Sequence, residues 1–227
     1  MKEQLYQVRF ELFFISMLLI LFGNLILPIA AYDTVIGPIC FLINLLAGIL
    51  LISGNKKVFY FFSLLFLAAL TMFIIRVFFR VDSEANVLAR SSIYFLFYAV
   101  VCIEIIQQVW RAPVVNKNVI IGLMSGYISL GLLAFFMFLA IETAFPGSFN
   151  GIHEIHLQGG SYIDALAYYS YITLLTIGYG EIVPITSLAR KAAVLTGLVG
   201  QFYMVIITAI VVGKFINQLN QNSSKNG

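Results

Sequence analysis

Six apolar runs dominate this chain, and each is close to the length needed to cross a bilayer. They cover about 10–30, 34–54, 57–79, 91–110, 118–144 and 188–216. A membrane-spanning helix needs roughly 20 predominantly apolar residues. A seventh segment, roughly 162–174, is too short to span and fits a helix that dips in and returns on the same side. Composition agrees. The chain is 61% hydrophobic and only 10% charged, whereas a soluble domain carries about 25% charge. The expected fold is an all-α membrane protein: six transmembrane helices, with a re-entrant helix and loop between helices five and six.

Lysines and arginines near the run ends set the orientation. An even number of crossings puts both termini on one side. That side collects Lys2, Arg9, Lys56, Lys57, Arg111, Lys117, Lys214 and Lys225 against Glu3 and Glu11. The other side collects Asp33, Asp82, Glu84, Glu142, Glu154, Asp164 and Glu181, with Arg80, Arg90, Arg190 and Lys191. The termini are therefore expected in the cytoplasm and the protein as a multi-pass component of the plasma or inner membrane. An acidic outer face would also raise the local cation concentration. A cleaved leader is not expected, because the start carries Glu3 and Glu11 and its apolar run exceeds the usual 7–15 residues or so. Cys40 and Cys102 both fall in apolar runs and read as small packing residues, with no disulfide or metal implied.

Between the last two long runs, residues 173–184 read Thr-Leu-Leu-Thr-Ile-Gly-Tyr-Gly-Glu-Ile-Val-Pro. For successive backbone carbonyls to point the same way, alternate residues must sit at positive φ, where glycine is least costly. Gly178 and Gly180 supply that alternation. Ile177 and Tyr179 would point away and brace the loop from behind, and Thr176 would add a hydroxyl at its inner end. The run Thr176–Gly180 resembles the T-x-G-Y-G selectivity filter of potassium channels. In that filter four loops present rings of carbonyls that replace the hydration shell of a cation. The resemblance covers strongly only about residues 161–216.

The resemblance implies a site. K⁺ would be held by the backbone carbonyls of Thr176, Ile177, Gly178 and Tyr179, with no organic cofactor. One filter per chain implies a C4 homotetramer. Ser161 and Asp164 would start the short pore helix in something close to a capping box, and the other end of that helix would favour a cation beneath the filter. Tyr168 and Tyr169 occupy the family's aromatic pair behind the filter and would form a cuff around Tyr179. Three positions depart from the pattern. Glu181 stands where aspartate is frequent, Ile172 where some members have glutamate, and Leu175 where threonine is common. Gly200 lies 24 residues after Thr176, at a position where many members hinge the inner helix; close packing against a neighbour is the equal alternative. Met204, Thr208 and Val212 share a face and would line the cavity. Val212 or Phe215 would form an apolar constriction that gates by dewetting, with Lys214, Asn217 and Gln218 at the cytoplasmic exit.

The first four runs match the voltage-gated-like plan by count and order, not by motif. A voltage sensor needs several arginines in the fourth helix, since each charge moved across the membrane is worth about 2.3 kcal/mol per 100 mV. Here Arg90 sits at the outer edge of the fourth run and no basic residue follows until Arg111. Opening is therefore expected to be at most weakly voltage-dependent. Arg76 and Arg80 would snorkel to headgroups. Glu104 is the one acid well inside a run. It is either a proton-sensitive switch or a packing residue, with Asn44, Gln107 or Gln108 as possible partners. His153 and His156 lie three apart in an outer loop, too few ligands for a metal site by themselves. Trp110 reads as an interfacial anchor.

Three divisions follow: a four-helix unit over 1–112, a pore domain over 113–217 and a short polar tail over 218–227. Nothing resembles a catalytic triad, a phosphate loop or a metal-ligand cluster, so neither an enzyme nor a nucleic-acid partner is expected; the partners are membrane lipids and copies of the chain. The function implied is passive, potassium-selective conduction. A weakly selective cation channel and a non-conducting sensor or accessory subunit are the alternatives.

Overall fold

The computed structural model describes residues 8–25, 32–52, 56–79, 83–152 and 161–225. In chain order its helices are α1 (Arg9–Phe22, prolonged by a 3-10 turn Gly23–Leu25), α2 (Gly37–Leu51, entered through a π-turn Tyr32–Ile36), α3 (Lys56–Phe79), α4 (Glu84–Arg111), α5 (Lys117–Ala144) and α6 (Tyr162–Leu174). An inner helix follows, made of α7 (Ser187–Phe202), a π-turn (Tyr203–Ile207) and α8 (Thr208–Lys225). A two-residue strand pair, β1 (Phe149–Asn150) with β2 (Val183–Pro184), interrupts an otherwise helical fold.

Among the described residues four helices are long and apolar enough to cross a membrane: α3, α4, α5 and the inner helix. The first two apolar runs give shorter described helices than their sequence spans, at Arg9–Phe22 and Gly37–Leu51. The fourth begins earlier than expected. Ser83 accepts from the Asn86 backbone N–H and starts α4 at Glu84, which puts Arg90 in its second turn. The last run also outgrows its expected limit. Helix continues to Lys225, so the polar stretch 218–225 prolongs the inner helix.

α5 is the axis of the fold. In its apolar window 61% of the residues are buried, against 17% in α3. One flank meets α1 and α4, the other α6 and the inner helix. Only the five residues 112–116 separate α4 from α5. A connector that short spans at most about 18 Å, so the two helices must be antiparallel neighbours. Their seam stacks Tyr94 and Tyr98 on Phe136, with ring centroids 4.9 and 5.9 Å apart. The four-helix unit therefore packs on the pore segment of its own chain.

A buried polar group must find partners, and inside the four-helix unit Asn44 does. Its Nδ2 donates to Ser16 Oγ (2.8 Å) and its Oδ1 accepts from the Tyr98 hydroxyl (2.8 Å). Asn44 is thus committed to α1 and α4 and does not serve Glu104.

The β1–β2 pair, in register Phe149 with Pro184 and Asn150 with Val183, joins both ends of the segment that holds α6. Gly151 makes the corner at φ +92°, and a Cβ there would lie 1.9 Å from the Glu181 carbonyl oxygen. The chain leaves this clasp, runs through α6 and the 176–180 turn, and returns to it.

Candidate ion-conduction site

α6 ends by unwinding in a defined way. The Leu175 N–H reaches the Tyr171 carbonyl and Thr176 reaches Thr173. The N–H groups of Ile177 (2.9 Å) and Gly178 (3.3 Å) then both donate to the single carbonyl of Ile172. From there the backbone alternates. φ is +58° at Thr176, +56° at Gly178 and +100° at Gly180, with Ile177 and Tyr179 on the ordinary side. This is the alternation that turns consecutive carbonyls toward one side. Glycine type accounts for two of the three positions. Thr176 is the one non-glycine residue with positive φ among those described, and an L-residue in that region costs about 1–2 kcal/mol. Such strain persists where the surroundings over-determine it, here through the hydrogen bonds onto Thr173 and Ile172.

Side chains of the turn are bare within one chain. Tyr179 is 74% exposed and Ile177 48%. The adjacent tyrosines Tyr168 and Tyr169 of α6 divide. The Tyr168 hydroxyl donates to Glu181 Oε1, so a tyrosine–glutamate pair ties α6 to the residue after the filter-like run. Tyr169 points away and is buried between Phe138 and Phe149 at 5.1 and 5.2 Å. Ile172 is buried and apolar. Ser161 takes the N-cap position without a side-chain bond. Asp164 does not complete a capping box; its Oδ2 accepts from Asn24 Nδ2 at 2.9 Å, linking α6 to the end of α1.

Two tyrosine–glycine contacts missed from sequence seat the site on α5. Tyr171 donates to the Ile128 carbonyl (2.8 Å), with its ring where a Cβ on Gly131 would stand, 2.1 Å away. Tyr203 donates to the Leu123 carbonyl (2.7 Å), its hydroxyl 2.2 Å from a would-be Cβ on Gly126. The available signal was the small-residue series Gly122, Gly126 and Gly131 on a long apolar helix. Glu142 also differs from expectation. It is 7% exposed, and its two oxygens accept from the N–H groups of Gly147 (2.7 Å) and Phe149 (3.0 Å). It builds the turn into β1 and adds nothing to an outer acidic surface.

The inner helix buries one stripe, Ala189, Ala192, Thr196, Gly200, Tyr203, Ile207 and Val211, spaced three or four apart as a helix face must be. Gly200 packs against the end of α6, where a Cβ would stand 2.9 Å from the Leu174 carbonyl oxygen and 2.7 Å from its Cδ1. Close packing therefore accounts for this glycine, and the irregular turn lies just beyond it at Tyr203–Ile207. Met204, Thr208, Val212 and Phe215 fall outside the buried stripe and are exposed in the single chain. Glu104 is half-buried and lines a polar cavity of about 590 Å³ with Gln107, Gln108, Arg9 and Arg111. No described side chain hydrogen-bonds it. His153, Glu154 and His156 lie outside the described residues, as do Arg80 and Asp82.

Residues 128–217 match a sequence model of an ion channel family. The match supports an ion channel rather than an enzyme. It covers the second half of α5, the β1–β2 clasp, α6, the 176–180 turn and the inner helix to Asn217. No curated protein and no solved structure gives a match.

Proposed function

We propose that this chain forms a potassium-selective channel, four copies closing around the 176–180 turns so that the carbonyls of Thr176, Ile177, Gly178 and Tyr179 replace the hydration shell of K⁺. The observation that carries this reading is the alternation of φ at Thr176, Gly178 and Gly180 at the end of a short helix inside the channel-family match. The bare Ile177 and Tyr179 side chains support a ring, since neighbouring copies would supply the wall they lack. The wide exposed apolar face of the inner helix, including Val205, Phe202 and Ile206, supports it further. In this reading the chain crosses the membrane six times, α6 and the turn form the re-entrant pore loop, and both termini face the cytoplasm. α4 offers no arginine series, so voltage acts weakly.

A second reading, a less selective cation channel, is favoured by one feature: Ile172, behind the turn, is buried and apolar and offers no carboxylate to pair with Glu181, whose Oε1 accepts from Tyr168 instead. Flux from purified protein in liposomes, with opposed K⁺ and Na⁺ gradients, separates the readings. K⁺ flux at least about tenfold above Na⁺, abolished by Gly178→Ala, is the expected result. Equal fluxes favour the second reading, and no flux from well-folded tetramers overturns both.

A further inference from the structure

Between Lys191 and Lys225 the inner helix carries one charged residue, Lys214. Its side chain does not reach for solvent. The Nζ donates to the carbonyl oxygens of Val109 (3.1 Å) and Ala112 (2.8 Å), and also to that of Trp110. These belong to the last turn of α4 and the first residue of the connector. The last carbonyls of a helix have no partner within it and carry its partial negative charge. Ala112 N–H closes back onto Gln108, so Val109, Trp110 and Arg111 are left open, and one ammonium meets the first two. One turn further along, Gln218 Oε1 accepts from the Val115 N–H at 3.1 Å. Two side chains on one face of α8 therefore grip the end of α4 and the connector.

That grip fixes a rotation. With about 100° per residue, Val212 lies about 200° round from Lys214, on the flank turned away from α4, and Phe215 about 100° round. Above the grip sits the π-turn Tyr203–Ile207, an irregularity of the kind at which long helices bend. The lower inner helix is thus held at one point by the four-helix unit and joined to the upper part by a turn able to adjust.

We infer that Lys214 is a positioning residue: by capping the inner end of α4 it sets the rotation and tilt of α8, so that displacement of the four-helix unit reaches the pore mouth through this contact. The inference rests on the channel reading of the inner helix, but the latch is testable without conduction. The full chain carrying Val115→Cys and Gln218→Cys is reconstituted in liposomes, and the rate of intrachain linkage by a short thiol cross-linker is read by mass spectrometry. Lys214→Met should slow linkage at least tenfold, whereas Lys214→Arg, which keeps a cation and several donors, should stay within about threefold. Linkage by Lys214→Met at the unaltered rate would overturn the latch. In the K⁺ flux assay, Lys214→Met should change the initial rate at least fivefold, and prior cross-linking of 115 to 218 in that variant should restore it. Slowed linkage with unchanged flux would mean a contact that merely packs, and would overturn the coupling. If the unaltered chain carries no flux at all, the conduction reading fails, and linkage alone decides the latch.

Discussion

Gly200→Ala separates packing from hinging because the two roles give stability changes of opposite sign. A Cβ at 200 would stand 2.9 Å from the Leu174 carbonyl oxygen and 2.7 Å from its Cδ1, where ordinary contact begins at 3.4 Å. The leucine methyl can swing aside. The carbonyl is backbone at the end of α6, directly before the 176–180 turn, so helix and turn must part by about 0.5 Å, the gap between 2.9 and 3.4 Å. Overpacking of this kind costs about 1–3 kcal/mol per chain, offset by the roughly 1 kcal/mol that alanine gains over glycine in a helix interior. The expected net loss is about 0–2 kcal/mol per chain. A pure hinge would show only the gain. Gly197 is the internal comparison, with nothing within 4 Å of its would-be Cβ, so Gly197→Ala should stabilise by up to about 1 kcal/mol. Thermal unfolding midpoints of the purified protein provide the assay, with liposome flux alongside. A lower midpoint and reduced flux for Gly200→Ala, beside a raised midpoint for Gly197→Ala, is the expected pattern. A midpoint for Gly200→Ala raised as much as that for Gly197→Ala would refute the packing argument.

Three further outcomes follow from the same geometry. Gly151→Ala places a Cβ 1.9 Å from the Glu181 carbonyl at φ +92°; it should open the β1–β2 clasp and lower stability by at least about 2 kcal/mol, seen as a lower midpoint and faster proteolysis between residues 145 and 161. Glu142→Ala strands the N–H groups of Gly147 and Phe149 at about 1–3 kcal/mol each, while Glu142→Gln, which keeps one acceptor, should lose less than half as much in the same melts. Tyr168→Phe removes the donor to Glu181 at a partly exposed site, worth about 1 kcal/mol, and should lower the K⁺ to Na⁺ flux ratio by no more than about fivefold. Glu181→Gln should act in the same direction, and the double variant should be no worse than either single one.

How far the chain could be read in advance depended on whether a residue's partner lies close in sequence. Gly178 and Gly180 announce positive φ by their type, because the backbone conformation is a property of the residue itself. Thr176 does not, since its φ of +58° is imposed by hydrogen bonds from the following residues onto α6. Gly200 is ambiguous by type alone, because the residue packed against it, Leu174, lies 26 positions earlier in the chain. Glu142 sits in an acidic loop flank that reads as surface, yet both its oxygens bond backbone N–H groups, and backbone donors leave no trace in composition. The partners of Lys214 are hidden for the same reason: its acceptors are carbonyls, which every residue possesses. The long helices were legible because length and apolarity are local. Their ends were less so, and the capping serine of α4 moved its start seven residues ahead of the apolar run that had marked it.

The five-residue connector between α4 and α5 also governs how the molecule comes together. It is too short for the four-helix unit to reach across to another copy, so in any ring built from this chain each protomer keeps its own unit beside its own pore segment. Nothing has to be threaded through a neighbour. Such a ring would need no exchange of helices between protomers. In a mixed ring a damaged copy would distort its own sector and leave the peripheral helices of the next one in place.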